Sequence, residues 1–250
     1  MKAAAHEINA EFEDAYWWYV GRRRIILEVL ASHLHCDGAP KARLLDAGCG
    51  TGAMLKAVDG LTEAVGTDAS TVALSWCKRR GLGGRVACCD FAAPPFRDGT
   101  FDVVMLLDVL EHLDDDKEAL KNAFRLLKGG GLLVVTVPAY PILWSGEDYV
   151  SEHRRRYVRR DMQEMVAAAG FTVQQSSYFN AILFPVMAAT ILWRRFFVPE
   201  DRVRSNVRPL PVALNLILTA VFTLERSLLR WMSFPFGGSI LCVAVKKEPA

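Results

Sequence analysis

The sequence lacks the signatures of several common classes. Its six cysteines (Cys36, Cys49, Cys77, Cys88, Cys89 and Cys242) form no CxxC pair and match no zinc spacing. Adjacent Cys88 and Cys89 would point to opposite faces of a strand, which makes them poor joint ligands. All six are read as reduced packing residues of a cytoplasmic protein. Net charge is nearly absent: 30 basic against 28 acidic residues leave +2, too little to draw nucleic acid by bulk electrostatics. The first fifteen residues are polar and acidic, without the apolar stretch of a secretory leader. No internal repeat or low-complexity tract is present. Apolar residues, by contrast, are abundant. They make up 52% of 250 residues, and mean hydropathy is +0.16. That suffices for one sizeable α/β core without disulfide staples.

Apolar periodicity predicts a helix over 7–35, aromatic at first (Tyr16, Trp17, Trp18, Tyr19) and then carrying Ile25, Ile26, Val29, Leu30 and Leu34. Gly38 and Pro40 break it. A regular alternation follows: strands at 43–47, 63–67, 85–89, 101–107 and 132–137, with helices at 52–58, 70–80 and 114–127, the last stopping at Gly129, Gly130 and Gly131. A helix at 160–169 and a strand at 171–178 continue the series, and a strand at 239–246 closes it. Short apolar strands alternating with helices imply a parallel sheet covered on both faces. The late strand, reached after an excursion, implies a reversed final hairpin. Asp114 to Asp116 read as an acidic helix start that complements the helix dipole.

Asp46-Ala47-Gly48-Cys49-Gly50-Thr51-Gly52 lies where a strand turns into a helix. Glycines there let the backbone turn tightly and approach a ligand. Gly48, Gly50 and Ala53 also fit a dinucleotide fingerprint, and Asp68 could hold ribose hydroxyls with either ligand. Other features separate the two. A carboxylate at Asp46 would meet an ammonium but repel a pyrophosphate. Asp90, followed by Phe91, could accept from an adenine amino group while the ring packs nearby. These positions favour a sulfonium cofactor that carries an amino acid.

As a set, LLDAGCGTG, GTDAS, CCDF, FDVVMLLDVLEHL and LLKGGGLLVVTVP resemble the class I S-adenosylmethionine-dependent methyltransferases of the methyltransferase-11 type, a group that includes the ubiquinone-biosynthesis O-methyltransferases. The likeness covers roughly residues 40–140. It implies that Asp46, Gly48 and Gly50 border the methionine moiety, that Asp68 with Ala69 takes the ribose, and that Asp90 and Phe91 recognise adenine. It implies further that Leu107 and Asp108 flank the sulfonium. WWYVGRRRI is similar to a segment in which an arginine binds the cofactor carboxylate; Arg22 fits that place, or belongs to a solvated helix face. Trp17 and Trp18 either close over the cofactor or pack the helix.

Methyl transfer is an in-line displacement, so alignment matters most, and a base is needed only for an acceptor that is not already ionised. Two segments supply candidates. Asp108-Val109-Leu110-Glu111-His112 follows the fourth strand, and His112 has a suitable intrinsic pKa. In some ubiquinone-type enzymes a similar acidic–acidic–histidine segment is linked to a divalent metal. Here Asp108 replaces the first glutamate, and no metal is expected. The second segment, His153-Arg154-Arg155-Arg156-Tyr157, resembles an HxRRY segment of related methyltransferases. It offers His153 and Tyr157 among arginines able to bind an anionic or phenolic acceptor.

Two apolar segments of about thirteen residues, 181–193 and 212–224, flank a link holding Arg194, Arg195, Arg202, Arg204 and Arg208. Neither reaches the ~20 residues of a membrane span. They form a lid over a greasy acceptor, a docking surface for the inner face of an anionic membrane, or a homodimer contact. The expected architecture is therefore a Rossmann-like, doubly wound, seven-stranded α/β sheet (41–180 and 237–250) with an N-terminal helical cap (1–40) and a two-helix apolar insertion (181–236). The expected activity is methylation, with S-adenosyl-L-methionine as cofactor, of an oxygen on a hydrophobic or lipid-like small molecule. The alternatives are a carbon or sulfur acceptor, an NAD-dependent oxidoreductase, and a non-catalytic cofactor-binding partner at a membrane.

Overall fold

A computed structural model describes residues 3–34, 41–197 and 205–248. Cys36, Arg202 and Arg204 lie outside them. Seven strands form one sheet: β1 (Arg43–Ala47), β2 (Glu63–Asp68), β3 (Val86–Cys88), β4 (Phe101–Leu107), β5 (Leu127–Pro138), β6 (Phe171–Phe179) and β7 (Ser239–Lys246). Their order is β3-β2-β1-β4-β5-β7-β6. The first five run parallel, and β7 runs antiparallel to both β5 and β6, which bears out the reversed final hairpin. After β1 the chain builds outward in one direction to β3, then returns to place β4 on the other side of β1. Such a switch point leaves a crevice beyond the carboxyl ends of β1 and β4.

Helices cover both faces of the sheet. On one side lie α2 (Trp17–His33), α3 (Ala53–Ala57), α4 (Thr71–Arg79) and α9 (Val212–Leu228); on the other lie α5 (Asp116–Leu126) and α7 (Arg159–Ala168). The period-2 pleat divides β4 between them. Val103 and Met105 face Ile25, Leu55 and Phe222, whereas Val104 and Leu106 face Leu120, Ala123 and Met162. Asp115 caps α5 by accepting from the Glu118 N–H at 2.9 Å. Asp116 instead turns inward and accepts from the Tyr157 hydroxyl at 2.8 Å.

Several elements depart from the periodicity. The expected helix over 7–35 is two, α1 (Ala3–Phe12) and α2, parted at residues 13–16. No glycine or proline marks this break. It lets Glu13 turn inward, where it takes the Thr51 hydroxyl at 2.5 Å and pairs with Arg80 at 2.6 Å. The Trp17 N–H freed by the break donates to Asn215 Oδ1 at 2.9 Å. Gly129–Gly131 lie within β5 rather than ending a helix, because α5 has already stopped at Leu126. Cys49, Cys77 and Cys242 are buried as expected, but Cys88 is exposed on the short edge strand β3.

Gly21 sits inside α2, where alanine would ordinarily be favoured by ~1 kcal/mol. Here a Cβ would lie 2.2 Å from Cδ1 of Phe222, the ring through which α9 enters the core. Gly21→Ala is therefore expected to destabilise the fold by about 1–3 kcal/mol. A thermal melt checks this, since a rise in Tm would show that the helix packing relaxes freely.

Candidate active site

The crevice at the switch point is a cleft of about 1080 Å³. Its floor is the turn after β1, where Gly48, Gly50 and Gly52 adopt φ of +77°, +55° and +89°. A Cβ on Gly48 would lie 2.4 Å from Cγ2 of Val109, whereas Gly50 opens onto free space. The Gly50 N–H donates to Asp68 Oδ2 at 2.9 Å and the Ser70 N–H donates to Oδ1 at 2.8 Å. Asp68 is thus locked at the tip of β2 with its remaining lone pairs toward the cleft. Asp90 Oδ1 accepts from the Ala92 N–H at 2.9 Å, and the Asn122 amide holds the carbonyls of Phe91 and Ala92.

Arg22, Gly48, Gly50, Asp68, Ala69, Asp90, Phe91, Leu107 and Asp108 all line this cleft. Arg22 reaches it from α2, ion-paired with the Asp108 carboxylate and lying 4.9 Å over the Trp18 ring. It is therefore not a solvated helix face. Asp108 is held at φ +56° and accepts from the Thr136 hydroxyl at 3.1 Å. Tyr16, Trp17, Trp18 and Tyr19 wall the opposite side. Trp17 both lines the cleft and packs edge-on against Phe222 at 5.7 Å.

One expected cofactor residue sits elsewhere. Asp46 points into the body of the protein rather than into the main cleft. It faces a side chamber of about 50 Å³ that it shares with Arg22, Gly48 and Leu107. Its Oδ2 is buried without a hydrogen-bond partner.

Beyond Asp108 lies a second group. Glu111 is fully buried, with neither carboxylate oxygen bonded, and burial pushes its pKa up to about 8. Burial, reinforced by His153, pushes His112 down to about 3. The two imidazoles meet edge to face at 4.7 Å. His153 Nδ1 lies 2.9 Å from Oδ1 of Asp148, a fully buried carboxylate in α6 (Gly146–Ser151) that also takes Arg156 Nε and Nη2 at 2.8 Å each. Burial alone would raise the Asp148 pKa, but the bonds from His153 and Arg156 outweigh it and hold the group well below the usual range.

Tyr157 corrects the sequence reading. It is buried away from the cleft lining, and burial together with Asp116 drives its pKa far up, so it is no acid or base at this site. Arg155 is likewise spent on Asp116 and on the carbonyls of Leu113 and Asp114. Metal-type ligands do converge: atoms of Glu111, His112 and His153 all lie within 4.8 Å of one another.

Comparison with known proteins assigns the family. A family model described as a methyltransferase domain matches residues 45–135. A protein of unassigned activity from Methanocaldococcus jannaschii is 39% identical over 171 residues, which cover 66% of this chain and 72% of the relative. A demethylmenaquinone methyltransferase from Thermus thermophilus is 38% identical over 112 residues, 42% of this chain and 50% of that one. The Haemonchus contortus phosphoethanolamine N-methyltransferase 2, solved with S-adenosyl-L-methionine, superposes with a TM-score of 0.58 at 18% identity, over 89% of this chain and 52% of that chain. The chain belongs to the class I S-adenosylmethionine-dependent methyltransferases. The dinucleotide reading of the glycine turn falls with that result, and so does a purely non-catalytic role.

In this methyltransferase the glycine turn and the carboxylates of Asp68, Asp90 and Asp108 line one cleft. Sequence reasoning missed Glu13, Thr136 and Asp148. Only Asp148 left a signal, as the last residue of a Ser145-x-x-Asp148 capping box.

Asp46 supplies a pH test. Burial raises its carboxyl to about 7 against the opposing pull of Arg22, whereas an unfolded aspartate titrates near ~4. The folded chain therefore holds this proton more tightly than the unfolded chain does. Its contribution to stability is full below about pH 4, falls as pH rises to about 7, and is level above that. Asp46→Asn is expected to flatten this fall, raising the Tm of the cofactor-free enzyme more at pH ~8 than at pH ~5. Tm profiles separated by a constant amount across that range would contradict the assignment.

Proposed function

We propose that this methyltransferase methylates an oxygen of a hydrophobic, lipid-like small molecule, with His153 as the base. The observation that carries the reading is the Asp148–His153 pair at the cleft. An ionised Asp148 accepts, so Nδ1 of His153 carries the hydrogen and Nε2 is left as a proton acceptor. A buried carboxylate that orients an imidazole in this way is a recurrent solution for deprotonating a hydroxyl. His112, pushed toward its neutral form, packs against His153 and helps aim it, and Glu111, protonated near neutral pH, adds no negative charge behind the pair. The cofactor, when bound, supplies a methyl already activated on sulfur. The chain's own tasks are to hold that donor along Gly48–Gly50, Asp68 and Asp90, to place the acceptor oxygen, and to receive its proton.

The far end of the cleft is lined by Leu143, Phe184, Met187, Ile191 and Leu218, which suits an apolar acceptor body. The Thermus relative is itself named for a demethylmenaquinone acceptor. Incubation with methyl-labelled S-adenosylmethionine and detergent-dispersed phenolic lipids, followed by mass spectrometry, is expected to yield a methyl ether. Products labelled only on carbon or sulfur would overturn the oxygen assignment.

Convergence of Glu111, His112 and His153 favours a second reading, in which these side chains hold a divalent cation that orients the acceptor oxygen. The unbonded oxygens of Glu111 and the unbonded Nδ1 of His112 fit such an ion. Under that reading, chelator abolishes turnover and added Zn²⁺ or Mg²⁺ restores it; turnover indifferent to chelator leaves the metal-free base.

A further inference from the structure

We infer that the outward faces of α8 (Phe184–Phe197) and α9 dock the enzyme on the surface of an anionic lipid bilayer. Apart from Val186, which also lines the cleft, the stripe residues lie outside it, and the inference goes beyond the proposed reaction. A surface helix normally turns its polar side to water. Here the pattern is inverted. Along α8 the exposed positions include Pro185, Val186, Ala189, Trp193 and Phe197, beside Thr190 and Arg195; along α9 they include Ala213, Ile217, Ala220, Leu224 and Leu228, spaced by three and four. Val186 is 71% exposed, Ile217 60%, and Trp231, just beyond α9, 86%. The opposite sides of both helices are already occupied. Met187 and Ile191 of α8 line the cleft, as does Leu218 of α9, while Phe222 and Glu225 are buried in the core. Closing a lid over the cleft would leave the outward stripes in water, so the lid alone does not account for them.

Charge identifies the occupant. Residues 181–236 hold seven arginines and no lysine against Glu200, Asp201 and the buried Glu225. The segment is thus net +4 by sequence in a chain of net +2; among its described residues Arg195, Arg208 and Arg230 are exposed, and Arg226 and Arg230 pair with Glu28. In a twofold dimer the same arginine-rich patch would face its own copy. A bilayer with anionic headgroups satisfies both features: apolar side chains sink below the headgroups while arginines meet phosphates. Tryptophans such as Trp193 and Trp231 favour that interface. Among the described residues no helix is long and apolar enough to cross a membrane, so the contact is surface docking.

The test is co-sedimentation of the full chain with phosphatidylcholine vesicles, with and without roughly one third phosphatidylglycerol. Binding is expected to the anionic vesicles and to weaken with salt. Ile217→Asp with Leu224→Asp is expected to reduce it tenfold or more. The same double variant should keep its circular dichroism, its affinity for S-adenosylhomocysteine, and its turnover on a micelle-dispersed acceptor. Absence of binding to either vesicle, binding undiminished in the variant, or a light-scattering dimer that the variant dissolves would each overturn the inference. None of these outcomes touches the oxygen-methylation reading, which the micelle assay tests separately.

Discussion

His153→Ala is expected to lower kcat for a hydroxyl acceptor by about 10²–10⁴-fold, the range that a positioned base contributes, with cofactor affinity little changed. The reasoning is geometric. Asp148 lies in α6, wholly buried, and its two oxygens accept from His153 and from Nε and Nη2 of Arg156. With five donors converging on it, the Ser145 N–H and hydroxyl among them, the carboxylate stays ionised and the imidazole has one orientation. Asp148→Asn should therefore act in the same direction as His153→Ala, by removing the acceptor that sets the tautomer. Tyr157→Phe is the contrasting variant. Its hydroxyl bonds only inward to Asp116, so a loss of about 1 kcal/mol of stability is expected with kcat nearly intact. Single-turnover kinetics on the same acceptor distinguishes the two. Full chemical-step rate in His153→Ala would remove the base from the mechanism, as would a large kcat loss confined to Tyr157→Phe.

The second large effect concerns the cofactor. Asp68→Ala is expected to raise the Kd for S-adenosylhomocysteine about 100-fold, the worth of ~3 kcal/mol. Two losses combine. The ribose hydroxyls lose an ionised acceptor, worth roughly 1.5–3 kcal/mol. The glycine turn loses the tie between the Gly50 N–H and the carboxylate at 2.9 Å, so a loop held in left-handed conformations is no longer pinned to β2. Calorimetric titration reads the affinity directly, and unchanged binding would place the nucleoside elsewhere in the cleft. Gly48→Ala should weaken the same titration by another route, because a Cβ there collides with Val109 and the φ of +77° strains any side chain.

Much of this site was legible before folding because its signals are local. A glycine turn between strand and helix, and acids at strand ends, depend on a few adjacent residues whose backbone preferences the fold obeys. Nine of the ten expected cofactor residues line the cleft. Asp46 does not, because burying β1 turns its side chain away from the crevice. The acceptor side was less legible. HRRRY reads as one uniform segment, yet its members divide in the fold: His153 and Arg156 line the cleft and share Asp148, whereas Arg155 and Tyr157 both bind Asp116. Which partner each one meets depends on where α5 and α6 arrive, and sequence spacing carries no trace of that.

Taken by itself, the chain's order of residues determined the alternating α/β plan, the glycine-lined notch and the row of carboxylates, since periodicity and turn chemistry act over a few residues at a time. Tertiary structure alone decided that the first helix would break at Glu13, that His153 rather than Tyr157 would line the cleft, and that α8 and α9 would turn apolar stripes outward. Those outcomes rest on contacts between residues up to some two hundred positions apart, such as Trp17 with Asn215, and only the packed sheet brings such pairs within bonding distance.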